Sequence, residues 1–243
     1  MTSALILAAG KATRLEGLRD RFAKANVPVG GTTPLRFLLE AMGDAYVDVW
    51  INLHFKGEQV RAEAQRWAHP KVRLHFLEEP QLLGTGGTLL EMHRRSGALP
   101  ELMVNAKMFT DFAFRSMREA EPGTLILHPS SPLDVFGGLR YDHAGRLLGL
   151  LAKGEDLPEG KLAAVFTGIC RPHEGWMAYL EKARAENPEA VLCLIRHGLL
   201  PCHAVDSDCV DLQTHLGAWC EISTPERVIE AEKKLQSMTM ISP

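Results

Sequence analysis

The sequence contains no G-x-G-x-x-G and no glycine-rich loop ending in Lys-Ser or Lys-Thr, which argues against a standard dinucleotide-binding fold and a standard P-loop ATPase. No C-x-x-C pair occurs among its five cysteines, Cys170, Cys193, Cys202, Cys209 and Cys220, so free thiols are expected rather than a disulfide framework. His203 and His215 with Cys202 and Cys209 match no structural zinc spacing. No run is apolar for long enough to cross a bilayer, and the N-terminus lacks a basic region leading into an apolar core and a small-residue cleavage site; the expectation is a soluble cytoplasmic protein with no membrane partner. Charge of one sign is also missing: 27 Lys and Arg against 30 Asp and Glu give a net charge of -3, which provides no general attraction for nucleic acid. Any anion site must be built locally. No long Pro/Gly/Ser linker divides the 243 residues, so one domain spanning 1–243 is expected, with 133–150 as a hairpin insert.

What is present begins with an apolar run, Ala4 to Ala9, that stops at Gly10 and is followed by Lys11, Ala12, Thr13 and Arg14. Such a run without polar alternation fits a strand buried on both faces, as in the middle of a parallel sheet. Gly10 lets the backbone approach an anion closely, and Arg14 can reach back over the turn with a forked, permanently charged donor set. Thr33-Pro34 caps a helix that opens at Leu35. A second strand over Tyr46–Leu53, a helix over Lys56–Trp67 and a third strand over Val72–Leu77 complete an alternation that implies right-handed parallel crossovers. Ligands then bind beyond the carboxyl ends of the strands, where Gly10, the 78–88 loop and Asn105 fall.

Gly84-Thr85-Gly86-Gly87 opens a helix whose unpaired amides can meet a phosphate, a ribose or a base edge; Glu78, Glu79 and Gln81 precede it and are candidates for reading the base. A fourth strand ends at Asn105-Ala106-Lys107, and a helix is expected from about Thr110, with Phe112, Phe114 and Met117 as core positions. Thr124–His128 is a further strand, residues 136–150 fold as two short strands around a polar turn, and Ala163–Ile169 forms another buried strand. Helices are expected from Pro172 to Ala185, from Asn187 to Leu200, and from Pro225 to about Leu235, with a loose tail after it.

Four segments, Ala4–Arg14, Phe22–Leu35, Leu83–Gly87 and Trp219–Glu226, come in the order found in the sugar-1-phosphate nucleotidyltransferases, and the chain resembles that family over nearly its whole length. Val49–His54 also resembles the second strand of small bacterial members that activate mannose 1-phosphate or N-acetylmuramic acid 1-phosphate. The resemblance implies a Rossmann-like, three-layer α/β/α fold with a mainly parallel mixed sheet and a small antiparallel flank, as a monomer or homodimer. It implies transfer of a nucleoside monophosphate from a nucleoside triphosphate to a sugar 1-phosphate, with guanine as the base suggested by the mannose-type likeness. Carried over residue by residue, Leu7, Ala8, Ala9, Gly10, Lys11, Gln81, Gly84, Thr85, Gly86 and Asn105 would hold the nucleotide. Arg14 would grip the departing pyrophosphate, Lys24 would bridge the α-phosphate and the sugar phosphate, and Thr167-Gly168 would contact the sugar.

The chain departs from the family at the metal. Where the family's fourth strand usually ends in an aspartate that binds Mg²⁺, this sequence has Lys107; where the late motif carries a second metal aspartate, it has Glu221. Ala12 stands where the first loop usually has glycine. Three readings follow. Lys107 replaces one cation and holds phosphate directly, leaving a single Mg²⁺ on Glu221; or Asp111 supplies the missing oxygen; or catalysis is lost, leaving a nucleotide- or sugar-phosphate-binding or regulatory protein.

Overall fold

The computed structural model describes residues 2–239, the side chains of 237–239 excepted. The central sheet contains β1 (Ser3–Leu7), β2 (Asp48–Leu53), β3 (Arg73–Glu78) and β4 (Leu102–Asn105), parallel to one another in the order β4-β1-β2-β3. A short strand β5 (Met108–Thr110) leaves the sheet after β4. The sheet continues through β6 (Thr124–His128), the hairpin β7 (Gly138–Tyr141) and β8 (Leu147–Leu151), the long antiparallel β9 (Leu162–Cys170), and an edge strand β10 (Asp211–Thr214). β9 lies between β4 and β6 and also pairs with β7, so the hairpin extends the main sheet. A last strand, β11 (Trp219–Glu221), pairs antiparallel with β5, matching Glu221 to Met108.

The helices are α1 (Gly17–Arg21), α2 (Pro34–Met42), α3 (Gly57–Trp67), α4 (Gly84–Ser96), α5 (Leu133–Phe136), α6 (Glu174–Glu186), α7 (Leu200–His203) and α8 (Pro225–Thr239). They cover both faces of a Rossmann-like sheet, and the strands show why. Ala4 and Ile6 of β1 pack with Leu38 of α2 and Val60 of α3 on one face, while Leu5 packs with Leu89 of α4 and Trp176 of α6 on the other. Strand side chains alternate faces, so only a strand apolar at every position can serve two helical layers. α2 starts as its sequence directs: the Thr33 hydroxyl accepts from the Arg36 amide at 3.1 Å, with Pro34 in the first turn. No described helix is long and apolar enough to cross a membrane.

Two expected helices are corrected. Thr110 lies in β5, where strand pairing with β11 wins over the helical spacing of the aromatics; only a 3-10 turn, Phe114–Arg118, follows. Phe114 and Met117 are nonetheless buried. Residues 187–193 are not helical: the Leu192 amide donates to Leu83 and its carbonyl accepts from Gly86, so a π-helical turn begins only at Leu194–Leu199 and passes into α7. The final helix runs on to Thr239, and the tail expected beyond it falls from 240 onward, outside the described residues.

Candidate active site

Two cavities open at the carboxyl ends of the parallel strands and share Asn105 and Lys107 in their walls. The first, about 300 Å³, is lined by Leu7, Ala8, Ala9, Gly10, Gly84 and Thr85, with Lys24 and the apolar side chains of Leu82 and Val191. The second, about 450 Å³, is walled by the hairpin and β9, with Phe136, Leu139, Phe166 and Trp219, and by Arg14, Lys153, Arg196, Glu221 and Arg227. Most residues expected to hold a nucleotide therefore meet in one place.

The first loop is held from below by a residue not singled out in the sequence. Asn52, buried at the end of β2, accepts from the amides of Ala8 and Ala9 at 2.6 and 3.1 Å, and donates to Glu79 at 2.8 Å. Glu79 in turn accepts from the Thr88 hydroxyl and the Leu83 amide. This buried network ties β1, β2, β3 and α4 together at the rim of the cavity. It also turns Glu79 inward, while Glu78 pairs with Arg61 and Gln81 and Lys11 line neither cavity. Of the three carboxamide and carboxylate candidates for base recognition, Glu79 lines the first cavity with its oxygens engaged by Asn52, Thr88 and the Leu83 amide, while Gln81 is exposed.

The glycines at 84–87 serve packing. A Cβ on Gly84, which sits at φ +77°, would come 2.5 Å from the Leu192 carbonyl oxygen; one on Gly86 would come 2.6 Å from Leu180. The Gly86 amide donates to Leu192, and the Thr85 hydroxyl accepts from the Leu194 amide. Gly86 is thus part of the wall's support, and the segment it holds brings Val191 to the cavity. Gly168 has a comparable role: at φ +84°, its Cβ would overlap the Asn105 side-chain amide. Thr167 donates to the Ile126 carbonyl and accepts from the Ile169 amide, so its hydroxyl is engaged within the sheet. Gly168→Ala is expected to displace Asn105 and cost about 2 kcal/mol through the left-handed backbone and the clash; a lowered denaturation midpoint checks this.

A separate apolar cluster assembles the charges. Ala12 and Leu15 of the first loop pack with Phe109 of β5, Cys220 and Ile222 around β11, and Ala231 of α8. Ala12 keeps a left-handed backbone, φ +56°, despite its methyl. Lys24 rides on a short 3-10 turn, Lys24–Asn26, that Gln59 of α3 pins by accepting from the Ala23 amide. The β5–β11 ribbon sets Lys107 beside Glu221: Lys107 Nζ lies 2.5 Å from Glu221 Oε2. Arg227 on α8, also unanticipated, donates to Glu221 Oε1 at 3.1 Å and to the Ser223 hydroxyl at 3.0 Å, with its guanidinium 3.9 Å from the Phe136 ring centre. No spacing rule marks that arginine, because its partner lies in the preceding strand.

The electrostatics follow from this crowding. Burial lowers the Lys24 pKa to about 8, helped by Lys107, Arg14 and Arg227 and opposed by Glu221. Burial alone would raise the Glu221 carboxyl, but Lys107 and Lys24 outweigh it and hold the pKa below the usual carboxylate value. Six cations, Arg14, Lys24, Lys107, Lys153, Arg196 and Arg227, line the two cavities with two carboxylates, Glu79 and Glu221, and among the described residues neither Arg14 nor Lys24 forms an ion pair. The excess positive charge suits a polyanion. Magnesium fits the same donors poorly. Both Glu221 oxygens are taken by cations, and Asp111 pairs with His215 at 2.8 Å and lines neither cavity. Among the described residues no three His, Cys, Asp or Glu side chains are grouped to hold a metal.

The fold is a three-layer α/β one whose strand tips gather backbone edges and cations around paired cavities, a setting that favours anions. The chain belongs to the nucleotidyl transferase family, whose model matches residues 3–156. It is 31% identical over 235 residues to the "Bifunctional protein GlmU" of Methanocaldococcus jannaschii, covering 96% of this chain and 54% of that protein; the chain thus spans about half the length of the curated relative it matches. Among solved structures it is similar to a putative glucose-1-phosphate thymidylyltransferase from Bacillus anthracis, with TM-score 0.77, 14% identity, and 96% and 95% of the two chains covered. HddC from Yersinia pseudotuberculosis shares the fold with TM-score 0.74 and 19% identity, over 97% of this chain and all of that one.

Proposed function

We propose that the protein transfers a nucleoside monophosphate from a nucleoside triphosphate to a sugar 1-phosphate, releasing pyrophosphate and forming a nucleotide-activated sugar. The observation that carries this reading is the meeting of the two cavities at Asn105 and Lys107, beside Lys24 and Arg14. The nucleoside takes the first cavity, between the Ala8–Gly10 backbone and the apolar Leu82 and Val191, and the sugar phosphate enters from the second. An oxygen of the sugar phosphate attacks the α-phosphorus as the bond to the bridging oxygen of pyrophosphate breaks. No side chain need act as nucleophile; the protein holds the two anions in line and neutralises them. Lys24 faces the α-phosphate and the incoming phosphate, and Arg14 the pyrophosphate. A cytoplasmic location goes with this reading, because nucleoside triphosphates are held there.

Pyrophosphate release measured across the common nucleoside triphosphates, guanosine triphosphate first, and a panel of sugar 1-phosphates is expected to show turnover with one pairing. Binding of both substrates without turnover would favour the second reading, a non-catalytic nucleotide- or sugar-phosphate-binding protein. The engagement of both Glu221 oxygens is the observation that supports that alternative.

A further inference from the structure

We propose that the phosphate chain is bound without a divalent cation, on a cation pair that the fold itself supplies: Lys107 and Arg227, clamped on either side of Glu221. This inference rests on the reading of the site as one for a nucleoside triphosphate, and it gives Glu221 a different task from ligating metal. Each oxygen of that carboxylate meets its own cation, Lys107 at 2.5 Å and Arg227 at 3.1 Å. The side chain is almost fully buried, with 7% exposed. For Mg²⁺ to coordinate Glu221, it would have to share an oxygen that already meets Lys107 or Arg227, and the doubly charged ion would then sit against that cation at a Coulombic cost.

Both cations are also fixed by more than the carboxylate. The Lys107 carbonyl accepts from the Ile222 amide across the β5–β11 ribbon. Arg227 is held at Ser223 and over Phe136. With one carboxylate between two cations, the clamp carries a net positive charge, and Arg14 adds to it in the same cavity. A lysine and an arginine can each give further N–H donors to phosphate oxygens after one has gone to Glu221. The ammonium and guanidinium therefore provide the charge and orientation that a bound ion would otherwise bring.

Calorimetric titration of the intact protein with inorganic pyrophosphate and with each common nucleoside triphosphate, in excess EDTA and again in excess Mg²⁺, tests this directly. The expected result is an affinity in EDTA equal to or tighter than in Mg²⁺, since the free anion carries more negative charge than its Mg²⁺ complex. Lys107→Ala and Arg227→Ala should each weaken EDTA-phase binding by about tenfold or more, the scale of one charge-assisted contact. Lys107→Asp should bind only when Mg²⁺ is present, because it replaces a fixed cation by a free carboxylate. Wild-type binding that appears only with Mg²⁺ overturns the proposal while leaving the reading of the site intact. Binding in neither condition overturns both, and the wild-type comparison holds even if a variant fails to fold.

Discussion

Replacing Lys24 by methionine is expected to make the protein more stable and, under the proposed reaction, at least about a hundredfold less active, the usual scale for losing one group that stabilises charge in a transition state. The two effects have one cause. Burial, and then the neighbouring Lys107, bring the Lys24 pKa down from 10.5 to about 8, so at neutral pH the fold holds a charge it disfavours. Because the folded value lies below the unfolded one, the penalty is complete below pH 8 and fades as pH rises from there toward 10.5. At about 1.4 kcal/mol for each tenfold change in proton affinity it amounts to roughly 3 kcal/mol. Methionine keeps the aliphatic body in place, so a gain of roughly 1–3 kcal/mol is expected, equivalent to about 2–12 °C in melting temperature for a chain of this size. Differential scanning calorimetry reads the gain and pyrophosphate release the loss. The same group sets a pH limit: affinity for a triphosphate should decline as pH rises through about 8, and Lys24→Met should remove that decline. A variant that is less stable and fully active would make Lys24 an ordinary surface cation.

The parts of this molecule that the sequence discloses are those where one residue's chemistry is enough. The continuous apolar run at Ala4–Ala9 specifies a strand covered on both faces, because alternation would have left one face wet. Thr33-Pro34 specifies a helix start, and the glycine-bearing turn within 136–150 a hairpin, for similarly local reasons. Gly84 and Gly86 are informative in another sense. They do mark a place where backbones come close, the neighbour there being Leu192, with the Leu180 side chain against Gly86, and sequence spacing alone cannot tell a phosphate from a carbonyl.

What stays hidden is pairing across distance. Arg227 looks like any helical arginine until β11 and Phe136 are set beside it. Thr110 lies in a stretch with helical spacing, and only the ribbon with Trp219 makes it a strand. Ala12 illustrates a milder case: the methyl did not prevent the left-handed turn, because burial among Leu15, Phe109 and Ile222 holds the loop in that shape. A strain of about 1–2 kcal/mol is within reach of such packing.

Asn52 is the residue on which the first loop's shape depends most, and Asn52→Leu, close in volume, is expected to cost about 3–5 kcal/mol. The Ala8 and Ala9 amides lose their shared acceptor, and Glu79 loses a donor, all in a buried setting; each stranded group costs about 1–3 kcal/mol. Denaturant unfolding should therefore show a much lower midpoint with an unchanged slope. The functional loss is expected to exceed the loss of folded protein, because Ala8–Gly10 form the wall against which the nucleoside sits. Asn52→Asp separates the two jobs. It keeps an oxygen for the Ala8 and Ala9 amides but gives up the N–H that meets Glu79, and it sets two carboxyl groups side by side. Its loop should hold at low pH, where a carboxyl can stay protonated and donate, and loosen as pH rises through the carboxylate range. Amide hydrogen exchange at Ala8 and Ala9 reads that loosening site by site. If Asn52→Leu unfolds within about 1 kcal/mol of the native protein and those two amides stay protected, the loop is held by its apolar anchors at Ala12 and Leu15 alone, and Asn52 is a satisfied core residue with no special bearing on the site.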